Sequence, residues 1–469
     1  MKPFDQIAQA TRWATRRLST PVRQGSRKGI ALIIVMATVA IMSTSVIEFA
    51  YQTNINVFVA ANNRDELKAR YMAKSAMNLT VLLLAFQYEL ERDPLIGRFM
   101  RNSNFQLYPL INLFLTPFSS GSLDTPIGGI DLAGGGATGF GGFHGNFKVD
   151  VSPEEGKLNI NTFSRSANQN QMTWLCMLME GENNDDLFDT EIGSDRNTIR
   201  RSELVANIVD YIDPDKSKVV LNEFCVSEGS GSGDEGGAYS RSDIEPKNAK
   251  LTTIEELRLV SGVDDAVFSR FAESMTVYPV DRVNLNLANF MVLQSLLCSH
   301  VAGAALDNWP CRDPNVLTQV TYLALALDGL REFFANPINL LFYYMNSDNA
   351  SKIMQSAKTG QTVAYLNTRQ LERYIKEFKS NPLVMQQFIG YSPTAQQLLG
   401  PLALQVATTA PQIIIDFNYR NMLRQVTTKS PQIFKIVAEG SYGDARKTLV
   451  SVVDFSKQKK ARYLFWREY

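Results

Sequence analysis

From Ile30 to Asp93 the chain contains neither proline nor glycine, and no other feature restricts its fold as strongly. The first part, Ile30–Ile47 ("IALIIVMATVAIMSTSVI"), also carries no charge. At about 1.5 Å per residue it extends about 27 Å, enough to cross one hydrocarbon core. A soluble core helix of this length normally keeps a polar face, which this stretch lacks. Beyond Glu48 the apolar positions Val57, Ala60, Ala61, Leu67, Tyr71, Met72, Ala76 and Leu79 recur at helical spacing, with no break before Pro94. The expectation is one rod on the order of 95 Å long, half uncharged and half amphipathic. A simple anchor leaves the membrane into a linker, whereas a helix that runs on suits a subunit packed in a helical filament.

Charge is balanced overall, 47 basic against 47 acidic residues, but it is unevenly placed. Before Ile30 stand Lys2, Arg12, Arg16, Arg17, Arg23, Arg27 and Lys28 against the single acid Asp5. A mildly acidic remainder argues against a nucleic-acid-binding body, and the cationic run fits a segment held on the cytoplasmic side of a membrane. A cleaved secretory signal would have a shorter basic region and a small-x-small site, whereas this apolar segment ends in "VIEFAYQ". A single-pass envelope protein that binds some unrelated partner is the alternative reading.

Further along, a broken apolar stretch (94–118) leads into a Gly-dense loop (119–146). Gly134, Gly136 and Gly139 in that loop satisfy GxGxxG, but a linker precedes them and a strand-like "FKVDVS" follows, the reverse of a nucleotide fold. "EEGKLNINTF" (154–163) is echoed by "DRVNLNLANF" (281–290), both with alternating asparagines suited to turns and caps. Between them lie a helical pattern (201–218), an acidic Gly/Ser loop (228–239) and two short helices (252–278) turned at Gly262. Residues 291–428 read as almost wholly helical, and from Gln432 the period becomes that of strands, 433–443, 446–456 and 461–469. The early strand 147–152 can pair with this meander, which makes everything between them an insertion into one small sheet. The fold class expected is α+β.

Candidate chemistry is sparse. The two histidines are His144, in the Gly loop, and His300, two residues after Cys298; positions i and i+2 on a helix do not face each other, so a Cys/His dyad is poorly placed. The turn at "SGVDD" puts Asp264 and Asp265 where a DNA phosphate would have to approach. Cys176, Cys225, Cys298 and Cys311 lack zinc-site spacing. In an oxidising compartment Cys298 can pair with Cys311 and Cys176 with Cys225; the sequence alone leaves the connectivity open, with four buried thiols as the alternative. Asp213, Asp215, Asp234 and Glu235 gather hard oxygen ligands beside turn-forming backbone, the kind of cage calcium accepts. A helix-ending Asp-Pro-Asp turn and a solvated acidic loop are the bland account.

Taken in order, "RKG" before "IALIIVMATVAIMS", then "ARYMAKSAMN", "EEGKLNINTF", "NIVDYIDPD", "TIEELRLVSGV", "VNLNLANF" and the closing "YLFWREY" resemble the K subunit of bacterial type II secretion systems, the large minor pseudopilin, over most of the chain. The resemblance implies a leader, residues 1–29, removed by a prepilin peptidase between Gly29 and Ile30, with Ile30 becoming the methylated first residue. It implies a stem (30–93), a linker (94–146), a first strand (147–163), an inserted helical domain (164–430) of two SAM-like parts (about 164–280 and 281–430), and a terminal meander (431–469). Pilin-like stems usually carry Glu at mature position five, where it neutralises a neighbour's terminal ammonium inside the apolar filament. Here that position is Ile34, which by the resemblance implies a place at the filament tip. Further implications are a non-enzymatic role in moving folded exoproteins across the outer membrane, an inner-membrane anchor with a periplasmic body, and structural calcium. The implied partners are I- and J-type minor pseudopilins along the stem from about Val57 to Leu90. Ala60, Ala61, Ala73 and Ala76 are expected to allow close helix approach there, and Asp65, Glu66, Lys68 and Arg70 to set register.

Overall fold

The computed structural model describes residues 29–94, 97, 106–112, 114–115, 145–165, 169–181, 184–188, 199–239, 245–302, 310–335, 363–399, 411–456 and 461–469. The cationic run before Gly29, the glycines at 134, 136 and 139, and His144 lie outside this set. The chain divides into two compact units, Met1–Lys68 and Ala69–Tyr469. One helix, Ile30–Arg92, begins in the first and ends in the second.

In the first unit every side chain from Ile30 to Ala60 is exposed, including Ile33, Ile41, Ile47 and Phe49. A surface this apolar does not persist in water, and the helix is long and apolar enough to cross a membrane.

The second unit carries strands β1 (Gly145–Pro153), β2 (Leu158–Asn159), β3 (Ser217–Leu221), β4 (Ser227–Asp234), β5 (Met275–Thr276), β6 (Val283–Asn284), β7 (Val426–Thr427), β8 (Ile433–Tyr442), β9 (Ala445–Asp454) and β10 (Arg462–Glu468). A four-stranded antiparallel sheet has the order β1-β8-β9-β10, so everything between β1 and β8 is inserted between neighbours. The α+β class expected from the sequence is the class observed. On β8 the alternate residues Phe434, Ile436 and Ala438 join Val149, Leu449 and Val453 in one core with Ala73, Ala76, Met77 and Leu84 of the helix. The opposite sheet face packs Ile433 and Val452 against Val280 of the insertion. The helix residues Ala69, Ala73, Ala76, Met77, Thr80, Leu84 and Gln87 form the buried stripe; apart from the adjacent pair Ala76 and Met77 they are spaced three to four apart, as a single helix face requires.

The sequence echo is a structural repeat. In the first half β2 pairs in parallel with β5, and in the second β6 pairs in parallel with β7. Asn161 clasps Leu251 by donating Nδ2 to its carbonyl and accepting its N–H on Oδ1 (both 2.8 Å). Asn286 clasps Tyr365 in the same way at 2.8 and 2.9 Å. The preceding asparagines, Asn159 and Asn284, each accept from the backbone two residues on and donate across to Val280 and Lys429. Five residues beyond each clasped residue, Glu256 and Gln370 each use Oε1 to cap two backbone N–H groups, Thr252 and Thr253 in one half, Leu366 and Asn367 in the other. Each asparagine thus fixes a chain crossing that no local ladder satisfies.

Several local expectations change. The helix expected over 201–218 stops at Ile212, because Asp213 precedes Pro214 and is forced extended (ψ 158°). The acidic Gly/Ser segment is β4, paired with β3 through a bulged register, followed by a 3₁₀ turn at Glu235–Tyr239. Of the two short helices expected over 252–278, the first is a 3₁₀ turn (Ile254–Leu259) and the second an α-helix (Asp265–Phe271). Between them Gly262 has φ +90°, and a Cβ there would meet the Ile199 side chain at 2.0 Å.

Candidate functional site

The first site residues are at the head of the helix. Ile33 N–H donates to the Gly29 carbonyl (3.2 Å), so helical bonding starts at the Gly29–Ile30 junction. Ile30 and Ile34 are exposed, and no acid stands in the first turn of the helix.

Three of the four predicted metal ligands come together. The helix Arg201–Ile212 delivers Asp213 at its end, the β3–β4 hairpin opposes Ser217 to Asp234, and the 3₁₀ turn beyond it begins with Glu235. One carboxylate oxygen from each of Asp213, Asp215 and Glu235 lies within 4.8 Å of the others. Asp213 and Glu235 are each 3% exposed, and Asp213 Oδ1 is buried without a hydrogen bond. Asp215 is exposed and accepts from Ser217 N–H (2.8 Å), holding the turn. The Asp234 side chain lies outside the described set, although its backbone closes β4.

Burial pushes the Asp213 carboxyl up to about 7, helped by the charges of Asp215 and Glu235. One helical turn earlier Asp210, which accepts from Val219 N–H (2.8 Å) and so ties the helix to β3, is also pushed up to about 7 by burial. Asn248 adds an amide that sequence reading missed: its Nδ2 donates to the Asp215 carbonyl (3.1 Å) while its Oδ1 is buried without a donor. Nothing near Asn248 in the sequence marks it, since its place depends on a residue 33 positions earlier. Two oxygens on opposite sides of a calcium ion stand at most about 5 Å apart, twice a ligand distance of about 2.4 Å, so the spread of these carboxylates fits one ion.

All four cysteines are paired, Cys176 with Cys225 (Cα–Cα 6.5 Å) and Cys298 with Cys311 (5.7 Å). Cys298 therefore has no thiol to offer, and His300 is buried with Nδ1 against the Leu296 carbonyl and the Ser299 hydroxyl. The Cys298/His300 dyad, disfavoured by its i, i+2 spacing, does not form. Asp264 spends its side chain capping the helix that follows it, and Asp265 pairs with Arg258.

The stem needs correction. Ala73 and Ala76 are buried against the chain's own sheet, so they cannot serve a partner helix. Arg70 and Lys74 are ion-paired with Glu468 of β10 (2.5 and 3.1 Å), and Asp65 with Arg64. In the second unit the apolar helix surface left exposed is Tyr71, Leu82 and Phe86.

The described fold defines a class: an α+β protein with a membrane-length apolar helix whose later part packs on a four-stranded antiparallel sheet, and a large insertion between two sheet neighbours. No protein-family model matches the chain, and no curated protein matches it. Among solved structures it is similar to a chain in the crystal structure of the GspK-GspI-GspJ complex from the enterotoxigenic Escherichia coli Type 2 Secretion System, at 12% identity and a TM-score of 0.42, covering 87% of this chain and 99% of that one.

Proposed function

We propose that this chain is a minor pseudopilin of a type II secretion system, cleaved between Gly29 and Ile30, methylated at Ile30, and set at the tip of the periplasmic pseudopilus to initiate or cap it while folded exoproteins cross the outer membrane. The observation that carries this reading is the helix that starts directly after Gly29, stays uncharged to Ile47 and ends as the helix packed on the sheet. Ile34 supports the tip position, since an apolar residue there pairs with no ammonium above it. The partners are I- and J-type minor pseudopilins, docking on the stem at Ala60 and Ala61 and on the exposed face of Tyr71, Leu82 and Phe86, but not through the buried Ala73 and Ala76. The anchor lies in the inner membrane and the body in the periplasm.

The same reading includes one structural calcium ion held by Asp213, Asp215 and Glu235. The buried, unpartnered Asp213 Oδ1 supports it, because a carboxylate oxygen without donor or cation is costly.

N-terminal sequencing of the protein from cells that contain a prepilin peptidase should begin at Ile30. Gly29→Trp should leave an unshortened, membrane-held precursor and stop exoprotein secretion. An intact Met1 in the wild type, or normal shortening of the variant, would remove the basis for this function.

A further inference from the structure

Between the two halves of the inserted domain lies an open cavity of about 290 Å³. Leu158 and Trp174 come from the first half, Val280 and Val283 from the link into the second; they give it apolar walls. Arg282 and Arg424 stand in the lining, both exposed, and among the described residues neither is paired with a carboxylate. Lys157 is also there, but its Nζ is spent on Glu154 (2.7 Å). One acid, Asp281, shares the lining. With Lys157 neutralised by Glu154, two unpaired cations against one acid leave the cavity electropositive.

Gln425 lines the same cavity, and its Oε1 is buried without a donor. A ligand that satisfies this lining therefore needs an anion for the two guanidinium groups and, next to it, an N–H or O–H for Gln425. We infer that this cavity binds the C-terminal carboxylate of a polypeptide, whose last peptide N–H meets Gln425 Oε1 while Arg282 and Arg424 take the carboxylate. Capture of a chain end by a few convergent polar groups is a general mode of peptide recognition. A sugar acid fits less well, since the indole of Trp174 is 3% exposed with its N–H bonded to Ser295 (2.9 Å), which leaves no aromatic face for a pyranose ring. The inference does not depend on processing at Gly29 or on the pseudopilin reading.

Isothermal titration of the full chain in detergent tests it, with N-acetyl-tetraalanine as free acid, the same peptide as C-terminal amide, and inorganic phosphate. The free acid should bind at least about tenfold more tightly than the amide, and more tightly than phosphate. Arg282→Gln with Arg424→Gln should weaken the acid by about tenfold or more, and Gln425→Leu should weaken it while leaving phosphate unchanged. Both arginines are exposed, so the double variant should melt like wild type, which separates lost binding from lost folding. No binding of the acid, equal binding of acid and amide, or equal binding of acid and phosphate would overturn the inference; the last outcome would reveal a general anion site.

Discussion

Gly440 on β8 passes so close to Ala69 of the long helix that a Cβ at Gly440 would lie 2.2 Å from the Ala69 carbonyl oxygen and 2.5 Å from the Ala73 nitrogen. Backbone meets backbone here, with no flexible side chain able to give way. The small residues of "ARYMAKSAMN" are therefore read as one half of an intramolecular contact whose other half is a glycine far along the chain.

Gly440→Ala should push helix and sheet apart and cost about 2 kcal/mol or more, as overpacking of a tight core does. Urea unfolding of the full chain in detergent should show a lower midpoint at unchanged slope. An unchanged midpoint would mean that the helix is not seated on β8 as described.

Asn161→Ala and Asn286→Ala should each cost about 2–3 kcal/mol, because each leaves a backbone N–H and C=O of Leu251 or Tyr365 without its partner. Asn161→Ala should cost the more, since Asn161 Nδ2 also donates to the Val277 carbonyl (2.6 Å), a third bond beyond the shared clasp. A larger loss for Asn286→Ala would argue that the clasps do not set the stability of the two halves.

The Asp213 carboxyl, held up at about 7 against an unfolded value near 3.9, binds its proton more tightly in the folded chain. Its contribution to stability is therefore complete below about pH 4 and is lost as pH rises through 7. In chelator the melting temperature should fall between pH 5 and 8; Asp210 and Glu155, also pushed up to about 7 by burial, share that trend. Calcium should raise the melting temperature most at the upper end of this range, and Asp213→Ala should abolish the rise. Indifference of the wild type to both calcium and chelator would exclude the ion.

The disulfides close loops of 49 and 13 residues, and chain entropy assigns them about 4 and about 3 kcal/mol. Reduction should lower the melting temperature, and Cys176→Ser with Cys225→Ser should cost more than Cys298→Ser with Cys311→Ser. A reversed order would show that native packing, not loop length, dominates.

The long helix, the terminal strands and the α+β class were legible because each is encoded within a few residues: absence of Pro and Gly, period 3.6, then period 2. The echoed asparagines were visible as a pattern, although their clasps were not, because Leu251 and Tyr365 stand 90 and 79 residues away. The acidic Gly/Ser segment reads as a loop in sequence, since composition carries no information about the β3 partner that turns it into a strand.

By itself the sequence determined the membrane-length apolar helix, its junction at Gly29 and the carboxylates available near Pro214, all of which follow from local chemistry. Tertiary structure alone decided that Ala73 and Ala76 face the chain's own sheet, that Asn248 reaches Asp215, and that Arg282 and Arg424 flank one cavity. Each of these depends on residues brought together from distant parts of the chain, and such encounters are set by how the cores close rather than by any neighbouring residue.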